Sequence, residues 1–182
     1  MVEAFPELET KRLVLREMQP DDAEAYFRVL SDAEVMQYYD GLPFTTLEQS
    51  YQSIARHHRR FEQEEGIRWG ITLKGENIVI GNCGFAWDTQ HRSAVLVYVL
   101  SRSYWRQGIM AEALQAILTF GFDTKHVHRV EAEVVVNNGA SIHILQKFGF
   151  QEEGVLRERF FVNEHFYDEK IFSLLEEEFR QQ

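Results

Sequence analysis

The stretch from residue 94 to residue 136 limits the folds open to this chain more than any other. Residues 94–100 form a β-branched run that reads as a strand. Ile109, Ala113, Ile117 and Phe120 then recur at helical spacing, and residues 130–136 read as a strand again. A helix between neighbouring strands is the crossover that parallel pairing requires. Ahead of it, the runs 67–73, 78–87 and 94–100 are separated only by short turns at 74–77 and 88–92, which makes an antiparallel meander. The expected fold class is therefore α/β, with a mixed, mostly antiparallel central sheet that contains one parallel pair. Ligands favour such a point in a sheet.

The flanking segments add helices to this sheet. Residues 12–16 alternate as a short strand, and Pro20, Asp21, Asp22 and Glu24 carry the proline and acidic residues of a helix start. A second helix opens where Thr45 and Glu48 have capping-box spacing, and Leu47, Tyr51, Ile54 and Phe61 carry it to a stop near Gly66. A short helix over 141–147 and strands over 150–161 and 166–175 complete the chain. No repeat or Pro/Gly/Ser-rich linker marks a second domain, so residues 1–182 read as one domain.

Composition narrows the partners. A net charge of −10 repels a phosphate backbone and argues against nucleic-acid binding. The basic cluster Arg56, His57, His58, Arg59, Arg60 is followed by Glu62, Glu64 and Glu65, and reads as a solvated helix face with local charge pairing. No apolar run of about 18 residues exists to cross a bilayer. The start, Met1 to Glu7, lacks the segments of a secretory signal, and the lone Cys83 has no disulfide partner, so the cytoplasm is expected. Cys83 lies in an apolar run and reads as core, as do Trp69, Trp87 and Trp105 as packing or rim residues. His57 and His58 are adjacent on a helix, and His126 and His128 lack further ligands, so no metal is expected.

Two motifs carry the chemistry. Tyr104, Trp105, Arg106, Gln107 and Gly108 stand at the mouth of the crossover helix, whose first N–H groups have no intrahelical partner. Such a mouth suits an anion: Gly108 lets it approach, Arg106 adds charge, and the helix dipole favours it. An ordinary helix start with an aromatic anchor reads equally well from these residues alone. The stretch is neither a Walker loop nor a dinucleotide fingerprint. The second motif runs from Val134 through Asn137, Asn138, Gly139, Ala140 and Ser141 to Lys147, Phe148, Gly149 and Phe150, a strand leading into a short helix that ends at glycine.

Together these segments resemble the GNAT superfamily of acyl-coenzyme A-dependent N-acyltransferases. In that family a Q/R-x-x-G-x-G/A loop cradles the coenzyme's pyrophosphate, and an N-x-x-S/A helix ending in Lys-x-Gly-Phe flanks its pantetheine arm. The resemblance implies the acyl-CoA N-acyltransferase fold, with the parallel pair splayed, and acetyl-CoA as cosubstrate. It gives Trp105, Arg106, Gln107, Gly108, Ile109, Met110 and Ala111 to the pyrophosphate. Asn138, Ser141 and Lys147 go to the pantetheine side, and the backbone of Val97, Val99 and Leu100 to the acetyl group. The segment from Glu9 to Arg16 and the close from Tyr167 to Leu175 are similar to the branch that contains the ribosomal-protein alanine N-acetyltransferases.

The chain also departs from the family pattern. Met110 replaces a small residue, and its side chain must point away from the phosphates. Many relatives carry a glutamate near Val95, and many place a tyrosine general acid where this chain has Leu145. Ser141 is then the nearest hydroxyl on the same segment for protonating the sulfur, against a structural role as a helix-start residue that bonds backbone N–H groups. Glu131 and Glu133 share one face of their strand and are candidate bases, Glu131 being preferred; Glu153 and Asp168 are further candidates.

The resemblance implies direct attack of an amine on the thioester in a ternary complex. An α-amine, with an ordinary pKa of about 7.7–8.0, has roughly a few tenths of its population neutral near neutrality, whereas lysine, near about 10.4, has several hundredfold less. A weak base then suffices for an α-amine, and the branch resemblance implies a protein N-terminal α-amine as the acceptor, such as the N-terminal alanine of a ribosomal protein. The alternatives are a small amine (polyamine, amino sugar or antibiotic) and a noncatalytic acyl-CoA-binding module. An acceptor pocket is expected from the first two helices and the turn near Asn163, in a monomer or homodimer.

Overall fold

The computed structural model describes residues 4–39, 41–162 and 164–181. Asn163, assigned above to the acceptor turn, and the first three residues of the chain start lie outside them. The strands are β1 (Leu8–Glu9), β2 (Leu13–Arg16), β3 (Gly66–Leu73), β4 (Gly81–Asp88), β5 (Ser93–Leu100), β6 (Arg129–Val135), β7 (Gln151–Val162) and β8 (His165–Leu175). They form one sheet in the order β1-β2-β3-β4-β5-β6-β8-β7. Every neighbouring pair is antiparallel except β5–β6, which is parallel. The helices are α1 (Ala23–Leu30), α2 (Ala33–Met36), α3 (Leu47–Glu62), α4 (Ile109–Thr119), α5 (Gly139–Lys147) and α6 (Glu176–Arg180).

Strand alternation divides the core in two. Ile67, Trp69 and Ile71 of β3, Cys83 and Phe85 of β4, and Ala94 and Leu96 of β5 point to one face, where Ile109, Ala113, Leu114, Ile117 and Leu118 of α4 cover them. Cys83 is fully buried there and burial pushes its thiol up to about 12, so it is core as expected and inert as a nucleophile. On the opposite face, Ala23, Tyr26, Val29 and Leu30 of α1, Val35 and Met36 of α2, and Ile54 of α3 close over Val79 and Val99. That face of the sheet is otherwise small or polar, offering Arg68, Gly70, Asn82 and Gly84.

Several boundaries differ from those the sequence implies. The second strand of the meander begins at Gly81 instead of residue 78, because Ile78 stands more than half exposed while Val79 turns into the second core. The box at the start of α3 uses Thr46 and Gln49, one residue later than Thr45 and Glu48. The Gln49 amide oxygen accepts the backbone N–H groups of Thr45, 2.7 Å, and Thr46, 3.0 Å, which a neutral amide does as well as a carboxylate. The basic cluster is also not paired as expected. Helix α3 ends at Glu62, so Glu64 and Glu65 leave its face, and among the described residues none of Glu62, Glu64 or Glu65 makes an ion pair with it. Instead His57 turns inward toward Tyr26 and Ser53, and His58 bonds the Met18 carbonyl oxygen at 2.6 Å.

A Cβ at Gly84 would sit on the Ile67 carbonyl oxygen of the neighbouring strand. Gly84→Ala therefore forces β3 and β4 apart at the centre of the sheet. It is expected to cost about 1–3 kcal/mol, or a fall of roughly 2–10 °C in the thermal midpoint. An unchanged midpoint by calorimetry would show that the strands yield without strain.

Candidate active site

Strands β5 and β6 pair over only three residues, Ser93 to Val95 against Arg129 to Glu131. Beyond them β5 stays hydrogen-bonded to β4 as far as Leu100, and β6 stays with β8 as far as Val135, so each follows its other neighbour. The edges of β5 and β6 that face each other there lack a ladder partner, and their alternate N–H and C=O groups line a wedge. The Leu100 carbonyl on this edge accepts from the Trp105 indole N–H at 2.8 Å, whereas on the β4 side of the strand the Arg68 guanidinium donates to the Val97 carbonyl at 3.0 Å. Val99 is buried in the second core, and Trp105 itself is 41% exposed at the rim.

The loop that follows β5, tied back to Leu100 by Trp105, leads into the mouth of α4. Gly108 is the N-cap residue, with φ +73°, a left-handed conformation that glycine adopts without steric cost. Having no side chain, it leaves the first N–H groups of α4 uncapped. Helix α5 contrasts with it, since the Asn138 side chain accepts from the Ser141 N–H at 3.1 Å. Arg106 also has a positive φ, +60°, and is exposed together with Gln107, whose amide bonds the Ser103 carbonyl at 2.8 Å. Ile109 is buried, and Met110 and Ala111 pack against the core.

A clamp fixes this loop. The Glu112 carboxylate accepts from the Thr10 hydroxyl at 2.6 Å and from the Arg12 backbone N–H at 2.7 Å. It also accepts from the Arg12 guanidinium at 2.6 Å, and the same guanidinium donates to the Gln107 carbonyl at 3.0 Å. Burial pushes the Glu112 carboxyl up, but the hydrogen bonds from Thr10 and Arg12 and the Arg12 charge hold it below the usual range. The segment from Thr10 to Arg12 is thus tied to the first turn of α4.

Across the wedge, on the α4 side of the sheet, the Tyr98 hydroxyl and the Ser141 hydroxyl lie 2.5 Å apart. Ser141 therefore spends its hydroxyl on Tyr98 while Asn138 caps the helix. Burial raises the Tyr98 phenol to about 12, against the lowering effect of its bond to Ser141, so it is neutral at physiological pH. Sequence reasoning missed Tyr98. Its signal was present: it is the one hydroxyl-bearing residue of the run 94–100, two places from Leu96 and so on the same face. Leu145 is fully buried and carries no such group.

The carboxylates separate. Glu131 stands in the last pair of the closed end, and its carboxylate is bound by Arg129 at 2.7 Å. Arg129 also holds Glu153 at 2.9 Å, and Glu153 accepts from the Ser173 hydroxyl at 2.5 Å. Asp168 accepts from the Glu158 N–H at 2.8 Å, across a bulge between β7 and β8. Glu133 lies two residues farther along β6, past the last β5–β6 pair, exposed and on the face of Val97. Lys147 ends α5 at the surface. Among the described residues no three His, Cys, Asp or Glu side chains come together as metal ligands, and no helix is long and apolar enough to cross a membrane.

Comparison with known proteins gives this arrangement a family. Residues 12–151 match the family model of the acetyltransferase (GNAT) domain. The chain is 37% identical over 172 residues to the uncharacterized N-acetyltransferase YoaA of Bacillus subtilis, covering 94% of this chain and 97% of that protein. It is 24% identical over 173 residues to a spermidine N(1)-acetyltransferase of Vibrio cholerae, covering 92% and 95%. Among solved structures, RimL, a ribosomal L7/L12 α-N-protein acetyltransferase in complex with coenzyme A, superposes with a TM-score of 0.86 at 20% identity, covering 93% of this chain and 98% of that one.

The clamp yields a test. Glu112→Ala frees both Arg12 and the Gln107 carbonyl, so it is expected to weaken coenzyme A binding about tenfold, equivalent to about 1.4 kcal/mol. Calorimetric titration measures this, and an unchanged Kd would separate the clamp from the loop's binding role.

Proposed function

The chain belongs to the GNAT acetyltransferases and is an acetyl-CoA-dependent N-acetyltransferase; from that premise we propose that its acceptor is a protein N-terminal α-amine, of the kind a ribosomal protein presents. Acetyl-CoA supplies the activated acetyl group as a thioester. The residues present fit it: the uncapped N–H groups at the mouth of α4, with Arg106 beside them, suit the pyrophosphate, and Gly108 leaves space that a Cβ would occupy. The free edge of β5 from Val97 to Leu100 would meet the acetyl oxygen with a backbone N–H, a donor worth about 3 kcal/mol as negative charge develops. Asn138 and Lys147 would flank the pantetheine side.

The observation that carries the mechanism is the Tyr98–Ser141 hydroxyl pair, 2.5 Å apart beside the wedge. A phenol held near 12 is a weaker acid than a thiol of about 8.5. It therefore keeps its proton and stabilises the departing thiolate by hydrogen bonding through Ser141, in preference to surrendering the proton outright. On the opposite face Glu133 replaces Glu131 as the base, since Glu131 is held by Arg129 while Glu133 bears no ion pair among the described residues. An exposed carboxylate is a weak base. It suffices for an α-amine that is already partly neutral and is poorly matched to an amine of pKa near about 10.

A second reading, a small amine such as a polyamine, has the relation to the spermidine acetyltransferase and the charge of −10 in its favour. The weak base favours the α-amine. A single buried cysteine suits a cytoplasmic enzyme, and the assembly is a monomer or homodimer in this reading.

Thiol release from acetyl-CoA with an alanine-starting peptide tests the assignment. Tyr98→Phe and Ser141→Ala are each expected to lower kcat about 10²-fold with little change in the KM for acetyl-CoA. Glu133→Gln is expected to lower kcat similarly. Full rates in the first two variants would return both hydroxyls to a structural role.

A further inference from the structure

The face of the sheet that carries Val97 also holds a cation with no anionic partner among the described residues. Arg68 lies on β3 opposite Gly84, which in turn pairs with Val97 on β5. It is 8% exposed, yet its Nε has no hydrogen-bond partner, and its guanidinium donates to the Val97 carbonyl oxygen instead of to an anion. A buried guanidinium ordinarily pairs with a carboxylate, because desolvation without a partner is costly. Among the described residues no carboxylate pairs with Arg68, or with Arg56 and Arg60 of α3 nearby. His57 stands among these three arginines, and burial followed by their charges lowers it to about 3, so it stays neutral and offers no negative charge. A chain of net charge −10 thus holds one buried guanidinium beneath an exposed and a half-buried arginine of α3.

Beside Arg68 lies a recess. Its cavity of about 10 Å³ is lined by His57, Arg60, Gly66, Ile67, Arg68 and Phe85 and has room for one oxygen-sized group. Asn82, fully buried on the same face, donates to the Tyr26 hydroxyl at 2.9 Å and leaves its own amide oxygen without a partner. One oxygen of a carboxylate standing at the mouth of the recess would take a charge-assisted hydrogen bond from the guanidinium, about twice as strong as a neutral one. Asn82 stands two residues along β4 from Gly84, the partner of Arg68, so this face offers a free acceptor oxygen as well as a cation.

We propose that Arg68 is a specificity residue that receives a carboxylate of the acceptor, so that this enzyme acetylates amines bearing an acidic group close to the amine, and that polyamines are excluded. The proposal rests on the reading of Val97 as the strand beside the acetyl group. It gives the N-terminal acceptor a narrower class: a peptide whose first residues include Asp or Glu. A polyamine would bring a second ammonium toward an uncompensated guanidinium, which like-charge repulsion opposes.

The test compares a peptide beginning Ala-Asp with its Ala-Asn counterpart and with spermidine, by thiol release and by calorimetric titration of protein preloaded with coenzyme A. Wild type is expected to favour the acidic peptide about tenfold or more in kcat/KM and in Kd, the size of one charge-assisted bond. Arg68→Gln is expected to abolish that preference, Arg68→Lys to retain part of it, and both to keep the wild-type affinity for acetyl-CoA, which also verifies that they fold. Since Arg68 has no counter-ion among the described residues, Arg68→Gln is expected to hold or raise the thermal midpoint, whereas loss of a merely structural arginine lowers it. Equal rates for the acidic and amide peptides, or faster turnover of spermidine, would overturn the inference while leaving acetyl transfer in place. Absence of thiol release from all three, with an Arg68-dependent binding preference intact, would keep the carboxylate site and remove the α-amine reading. Equal binding of the two peptides in wild type and Arg68→Gln would remove the site itself.

Discussion

The parallel pairing of β5 with β6 ends after three residues, and the rest of the candidate site follows from that early end. Each strand is held on its outer side, β5 by eight residues of antiparallel register with β4 and β6 by seven with β8. The two halves of the twisted sheet can therefore diverge without either losing its cover. A gap with unpaired backbone groups on both walls would be costly in a closed core. Here the chain leaves β5 for the loop before α4 and leaves β6 for the start of α5.

What surrounds the gap is arranged by side as well as by distance. The face covered by α4 and α5 carries the neutral hydroxyl pair of Tyr98 and Ser141, and the face covered by α1 and α3 carries charge: Glu133 on β6, Arg68 on β3 and the arginines of α3. A group that loses a thiolate needs donors, and a group that brings an amine needs a base and a means of recognition. The proposed mechanism assigns these needs to opposite faces of one sheet. The clamp from Glu112 to Thr10 and Arg12 adds the N-terminal segment to the same machinery, so the turn between β1 and β2, far along the chain from the loop, bears on its geometry.

The sequence made the sheet legible because its signals are local. The change from period 2 to helical period after residue 100 marks the crossover, and Gly108 before an apolar stretch marks the mouth of a helix. Local signals also set the limit of accuracy. The capping box shifts by one residue, from Thr45 and Glu48 to Thr46 and Gln49, because a glutamine does the work of a glutamate. Ser141 is legible in its motif, but Tyr98 sits 43 residues away on another element and joins it only through the fold. Glu131 and Glu133 are equivalent in a strand pattern, and only Arg129 and the end of the ladder tell them apart. The basic run 56–60 reads as a solvated face until Arg68 is brought beneath it by the sheet.

The central claim is that acetyl-CoA lies between β5 and β6 with its phosphates at the mouth of α4. Hydrogen exchange with and without acetyl-CoA tests it most directly, because alternate amides of β5 on its free edge and the first amides of α4 lack a ladder or helix partner. The account predicts that the coenzyme slows exchange both in residues 97–100 and in residues 107–111. Protection confined to another part of the chain, with these two segments unchanged, would contradict it.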